Sequence, residues 1–173
     1  AERIEKKSKE KSINFNDIIS LTQTISKQVD DIGKLVDEFS SFARMPEAEI
    51  KLDNLSQTLN ESFVLFSNSH TKINMKLFSQ DKDIYYQFDR FQITQAFNNI
   101  IKNAVESVIN IPNPSISVNL FESNNQIKLT VKDNGIGVDE KKVTKLFEPY
   151  FTTKEKGTGL GLSIVKKIIE DHG

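Results

Sequence analysis

Asp133–Val165 reads DNGIGVDEKKVTKLFEPYFTTKEKGTGLGLSIV and holds five of the chain's seven glycines. They fall in two clusters. Asp-Asn-Gly-Ile-Gly follows an alternating run that predicts a strand, and Gly-Thr-Gly-Leu-Gly opens a segment whose spacing predicts a helix from about Gly159 to Asp171. Glycine admits positive φ and lets a backbone close on a ligand. A glycine-rich turn running into a helix N-terminus also offers free N–H groups and a positive dipole end to phosphate. The stretch therefore predicts a nucleotide pocket with a flap, the Phe-Glu-Pro-Tyr-Phe-Thr-Thr-Lys core, lying between the clusters. The spacing matches neither Gly-x-x-x-x-Gly-Lys-Ser/Thr nor Gly-x-Gly-x-x-Gly, which excludes P-loop and Rossmann assignments.

Composition narrows the setting. With 173 residues, the chain is one domain, or one domain plus a smaller helical piece. A hydrophobic content of 37%, a charged content of 27% and a net charge of −1 describe a soluble protein, with no electrostatic case for nucleic acid. No run of about 18 apolar residues exists to span a membrane, and the opening AERIEKKSKEK has no signal-peptide pattern. Zero cysteines excludes disulfides and thiolate metal sites. Imidazole chemistry within the chain is limited to His70 and His172.

Working outward, residues 1–11 are charged and helix-compatible. From Asp17 to Ala43, apolar residues Ile25, Val29, Ile32, Val36, Phe39 and Ala43 recur at spacings of four and three, extended backwards by Ile18 and Leu21. Pro46 ends this helix, and a domain boundary is expected at 46–50. A lone amphipathic helix buries no core, so the seam requires a partner. It either lies on its own domain or pairs with another chain; the sustained seam and the proline break favour pairing. Beyond the boundary the pattern predicts a strand at Ile50–Asp53, a helix at Leu55–Ser69 capped by Asn54, and strands at Ile73–Phe78 and Ile84–Phe88 joined through Gln-Asp-Lys-Asp as a hairpin or tight turn. A long helix follows from Arg90 to about Asn110, capped by Asp89 and stopped by Ile-Pro-Asn-Pro. A second hairpin joins Ser115–Glu122 to Gln126–Lys132. The order is α+β, a sheet with helices on one face.

On the long helix, Gln95, Asn99, Asn103 and Glu106 or Ser107 share one face. Such a stripe is commonly just the solvated side of an amphipathic helix. Neutral carboxamide oxygens one turn apart also suit a loosely held magnesium ion that bridges phosphates. Asp133 is either a turn residue or an acceptor for an exocyclic amine such as adenine's. Gly135 and Gly137 let the backbone pass a base closely, Phe147, Pro149, Tyr150 and Phe151 offer an apolar hinge for the flap, and Lys154 offers phosphate a point charge.

Together these segments resemble the ATP-binding domain of sensor histidine kinases, in the family shared with gyrase, Hsp90 and MutL ATPases. NNIIKNAVES is similar to that family's N box, DNGIGV to its first glycine box, FEPYFTTK to its F box and GTGLGLSIVKKI to its second glycine box, covering about residues 50–173. Residues 25–46 resemble the second helix of the dimerisation and phosphotransfer hairpin, with wording close to NtrY-like, nitrogen-regulation sensor kinases. AERIEKKSKE is similar to the segment just after that hairpin's acceptor motif, and the acceptor histidine itself does not occur in the chain.

The resemblance implies a two-layer α/β sandwich of the Bergerat type preceded by a dimerising helical segment. Residues 1–46 would belong to the hairpin and 47–173 to an ATP-binding catalytic domain trimmed at its C-terminus. Two further strands would come next in the family, so an exposed edge and reduced stability are expected. ATP and Mg²⁺ are the implied cofactors. Asn103 would ligate magnesium with Asn99 assisting, Asp133 would recognise adenine with Gly135 and Gly137 lining the base, and Lys154, Gly157, Thr158, Gly159, Leu160 and Gly161 would form the lid and phosphate end. The γ-phosphoryl would pass to a histidine outside the chain and on to a response regulator. A homodimer through the N-terminal helices is implied, with inner-membrane anchorage only through parts outside the chain. Asn99 stands where hydrolysing relatives carry Glu, against a gyrase-like ATPase. Glu106 departs from the basic residue that some sensor kinases carry there. The alternative is a non-catalytic dimerisation and nucleotide-sensing module. His70 is expected at a solvated helix end, and His172 in a structural role.

Overall fold

The computed structural model describes residues 15–124, 126–154 and 157–173. The readings made of residues 1–11 lie outside these. The chain divides between Met45 and Pro46 into two compact units.

The described part of the first unit is one helix, α1 (Phe15–Ala43). Thr22 and Thr24 return their hydroxyl protons to the carbonyls of Ile18 and Ser20, both at 2.8 Å, so these polar side chains serve the helix itself. Its apolar seam is left uncovered: Ile25, Val29, Ile32, Val36 and Phe39 are 47% to 61% exposed.

The second unit is α+β. Strand β1 (Lys51–Asn54) runs into α2 (Leu55–Ser69), then come β2 (Asn74–Ser79), β3 (Tyr85–Phe88) and α3 (Arg90–Val108). Strands β4 (Ser115–Ser123) and β5 (Gln126–Asp133) follow, then a 3-10 segment at Glu140–Lys145 and α4 (Gly161–Asp171). The helix starts are set by local chemistry. The Asn54 side chain accepts the Gln57 N–H at 3.0 Å and Asp89 accepts the Gln92 N–H at 2.9 Å, each satisfying a donor that the first turn leaves unpaired.

The expected hairpin between Ile73–Phe78 and Ile84–Phe88 does not form. Strand β3 pairs antiparallel with β1, and β2 pairs in parallel with β4, which pairs antiparallel with β5. The Gln-Asp-Lys-Asp link crosses between two sheets: Gln80 N–H extends the pairing to Leu120 O at 3.0 Å, while Ile84 turns inward and accepts the Leu55 N–H at 2.8 Å. Pairing with β4 is the arrangement that lets Met75 and Leu77 stand beside Ile116 and Val118 on one face, with Val131 and Leu129 completing the rows from β5. That face is covered by α2 and α3 through Leu59, Phe63, Phe97, Ile101, Val105 and Val108. The opposite face carries Lys128, Thr130 and Lys132 in water, as expected of a sheet with helices on one side.

Three contacts fix α3, the helix that carries the polar stripe. Arg90 bonds Asp53 of β1 at 3.0 Å and Glu61 of α2 at 2.8 Å, and its guanidinium holds the Asp53 carboxyl below the usual carboxylate range. The backbone N–H of Asp89 donates to His172 Nε2 at 3.0 Å, while His172 Nδ1 bonds Ile168 O at 2.7 Å. Both ring nitrogens of His172 are thus committed, tying the end of α4 to the start of α3.

Candidate functional site

From Asn99 to Ser107 the polar stripe of α3, half-buried except for exposed Glu106, advances eight residue steps, about 12 Å at 1.5 Å per residue. Ala96, Phe97, Ile101, Ala104, Val105 and Val108 bury the other side in the core, so side chains at 99, 103, 106 and 107 face outward together. Together they meet three parts of Asp133–Val165: Ser107 the first glycine cluster, Asn103 with Glu106 the Lys154 side chain, and Asn99 the start of α4.

At one end, the Ser107 hydroxyl lies 2.8 Å from Asp133 Oδ1, and the Gly135 N–H donates to the same oxygen at 2.8 Å. Oδ2 carries no bond among the described residues, so a fixed carboxylate keeps one oxygen for a donor. Gly135 has no room for a side chain: a Cβ would sit 2.3 Å from Ser107 Oγ and 2.7 Å from Asp133 Oδ1. Asn134 braces the turn, accepting the Ser115 N–H at 2.8 Å and donating to Asn113 O at 3.0 Å. Gly137 has φ +70 and open space around it, so its demand is conformational.

In the middle, Lys154 Nζ donates to Asn103 Oδ1 at 2.8 Å and forms an ion pair with Glu106. The loop carrying Lys154 is shaped by Thr152, whose hydroxyl accepts the Lys154 N–H at 3.1 Å, and Gly157 N–H returns to Lys154 O at 3.2 Å. A Cβ on Gly157 would meet Thr152 Oγ1 at 2.3 Å.

At the far end, Asn99 Oδ1 lies 3.7 Å from where a Cβ on Gly161 would stand. Gly161 begins α4, two residues later than the spacing predicts, because Gly159 has φ +71, outside the helical range. No side chain caps α4; the preceding Leu160 is buried, and its N–H reaches the Thr158 hydroxyl at 3.4 Å. The first-turn N–H groups of α4 therefore remain available to an anion beside Asn99.

All the residues singled out for the site thus lie along this stripe or on the segments that meet it. The apolar hinge is where the structure differs: Phe147 and Tyr150 are 46% and 61% exposed, and only Phe151 is half-buried. The segment is instead held by backbone packing. Tyr150 adopts φ +66, and Gly159 lies so close that a Cβ would fall 2.4 Å from Tyr150 C. The sequence also leaves unassigned the part played by Ser107, although its place four residues after Asn103 puts it on the same face. Of the histidines, His70 is not fully solvated: it is half-buried, stacked on Phe66, with Nδ1 2.9 Å from Phe66 O.

A family model described as the histidine kinase-, DNA gyrase B- and HSP90-like ATPase matches residues 88–173. The nitrogen regulation protein NtrY of Azorhizobium caulinodans is 39% identical over 88% of this chain, and the match spans 20% of that protein's length. Among solved structures, the catalytic domain of histidine kinase ThkA is 34% identical, with a TM-score of 0.65 over 71% of this chain and 81% of that one. ThkA in complex with the response regulator TrrA shares the fold at a TM-score of 0.74 and 23% identity, over 95% of this chain and 48% of that one. With α3, β5 and the two glycine segments arranged as above, the chain belongs to the histidine kinase-, DNA gyrase B- and HSP90-like ATPase family, on its sensor histidine kinase side, and carries that family's ATP-binding catalytic fold.

Proposed function

We propose that this chain binds Mg·ATP along the α3 stripe and presents the γ-phosphoryl to a histidine outside the chain, from which it passes to a response regulator. The observation that carries the reading is the order of partners on α3. A carboxylate with a free oxygen lies at Ser107, a cation at Asn103 and Glu106, and an uncapped helix N-terminus at Asn99. That order suits adenine, metal and phosphates in turn, over about the length of the nucleotide. Asp133 would accept from the adenine amino group, with Gly135 and Gly137 letting the backbone lie against the ring. Gly157, Thr158, Gly159, Leu160 and Gly161 would close the phosphate end.

The donor set fits magnesium: Asn103 Oδ1 and the Glu106 carboxylate together accept a cationic group, and hard oxygen ligands suit that ion. Asn103 would hold the metal with Asn99 assisting, and the ion when bound would neutralise phosphate oxygens. Catalysis would otherwise rest on positioning, as in phosphoryl transfer generally.

Two observations support an acceptor elsewhere. His70 bonds Phe66 O through Nδ1, and His172 uses both ring nitrogens on backbone groups. The uncovered seam of α1 supports homodimerisation, with residues 1–46 belonging to a dimerisation and phosphotransfer region and 47–173 to the ATP-binding domain. No helix among the described residues is long and apolar enough to cross a membrane. Membrane anchorage, as in an inner-membrane sensor, would come from other parts of the protein.

The test uses labelled ATP with this chain, with and without a separate helical hairpin bearing an acceptor histidine. Label on the hairpin is the expected result; ATP binding without transfer would favour a non-catalytic nucleotide-sensing module. Asn103→Ala should weaken Mg·ATP at least about tenfold, the equivalent of 1.4 kcal/mol, while leaving metal-free ATP binding nearly unchanged. An unaltered Mg·ATP affinity would remove Asn103 from the metal role.

A further inference from the structure

Glu106 lies three residues after Asn103, so the two side chains are neighbours on the outer face of α3. A carboxylate beside a metal-ligating amide and a chain of phosphates is, taken alone, an unfavourable neighbour for the nucleotide. Lys154 compensates for it. Its ammonium arrives from a loop 51 residues further along and bonds both Asn103 Oδ1 and Glu106. Among the described residues the backbone at 154 is turned locally only by single hydrogen bonds with Thr152 and Gly157, so the Lys154 contact with the α3 oxygens is what anchors that turn to the packed domain.

We propose that Glu106 is a positioning residue which, with Asn103, draws Lys154 into the place a divalent cation would take, so that the nucleotide-free protein carries its own cation on α3 and exchanges it for metal–nucleotide. This rests on the nucleotide reading above. Lysine is well matched to such an exchange, being a compact charge on a flexible stem with three donors that move readily from a carboxylate to a phosphate. The side chains of Lys154 and Glu106 are 41% and 39% exposed, so water screens the pair and the latch releases easily. A divalent ion taking these oxygens competes with Lys154 for the same lone pairs, and its charge repels the ammonium at close range. Arrival of the metal therefore frees Lys154, and the nearest new anion for it is the nucleotide's phosphate. The basic residue that some relatives place on the helix is supplied instead from the loop, and Glu106 holds it ready.

The experiment measures backbone amide exchange at residues 151–154 in the complete chain, without nucleotide and with saturating Mg·ATP. Glu106→Gln keeps the shape of the side chain and removes its charge. Without nucleotide it should speed exchange at these amides about two- to fivefold, the upper part of what a half-exposed ion pair supplies. Salt at about 1 M should bring the unaltered protein to the same rate, since the screening length falls to about 3 Å. Reversing the pair, Glu106→Lys with Lys154→Glu, should restore protection that either single change loses, yet leave Mg·ATP binding weakened. With Mg·ATP bound, the unaltered protein and Glu106→Gln should exchange alike. Unchanged exchange in Glu106→Gln, or no recovery in the reversed pair, overturns the proposal. A failure of the nucleotide reading looks different: ATP titrates flat while the exchange difference persists.

Discussion

At Gly135 an added Cβ would strike the Ser107 hydroxyl and the Asp133 carboxylate, whereas at Gly159 it would strike the backbone of Tyr150 and Phe151. The two glycine segments of one pocket thus need glycine for different reasons. The first makes room for side chains that hold a carboxylate in place, and those side chains sit on α3 and β5, elements packed against the core. At Gly159 the second makes room for another stretch of backbone, and nearby the Lys154 loop meets α3 through exposed polar contacts with Asn103 and Glu106. On the proposed reading, the end that would take the base is preformed, and the end that would take the phosphates is assembled by contacts weak enough to exchange. A pocket that must admit and release a triphosphate gains from having its variable part where the phosphates lie.

The hardest test of this contrast is Gly159→Ala. It combines a positive φ, costing about 1–2 kcal/mol for a residue with a Cβ, with a collision against main chain that cannot rotate away. Loss of Mg·ATP binding and a clearly lowered melting temperature are expected. A variant that melts and binds as before would mean that the Tyr150–Gly159 packing does not shape the phosphate end.

A smaller effect is expected at the base end. Ser107→Ala leaves Asp133 Oδ1 with the Gly135 N–H as its remaining described partner. Removing one hydrogen bond costs about 1 kcal/mol, so ATP affinity should fall roughly fivefold with its dependence on magnesium unaltered. If instead the magnesium dependence changes, the two ends are coupled and the contrast between them is wrong.

The smallest effect concerns the joint that serves both ends. Burial pushes the Asp89 carboxyl up, but N–H donors from Gln92, Glu49 and Phe91, with His172 nearby, outweigh it and leave the carboxyl below its ordinary value. A carboxyl lowered in the folded state stabilises fully above its unfolded pKa, about 3.9. That stability is lost as pH falls through the lower folded value. Asp89→Asn keeps a competent helix cap and should change neutral stability little while flattening the acid limb of a stability–pH curve. An equally steep limb in the variant would show that other carboxylates set it.

Much of the frame was legible because its signals are local. Asn54 and Asp89 cap the helices they precede, Pro46 ends α1, and the alternation at Ser115–Asp133 gives the β4–β5 pair, since caps and close turns are decided within a few residues. The parallel partner of β2 was not legible. Its alternation tells which side chains face inward and says nothing about which strand lies alongside, and here β4, some forty residues on, offers Ile116 and Val118 where β3 does not. The same limit applies to the site. Asn99, Asn103, Glu106 and Ser107 are placed on one face by the helical repeat, but what each one meets depends on loops far away in sequence.

By itself, then, the sequence determined the α+β order, the family, the two glycine segments and the polar helix face, because periodicity, caps and glycine spacing are properties of neighbouring residues. Only the tertiary structure decided that Ser107 steadies Asp133, that Lys154 rests on Asn103 and Glu106, and that His172 is used up in joining α4 to α3. Those pairings arise from packing α3 against β5 and α4, and side chains brought together by a shared core carry no mark of it in their own stretch of chain.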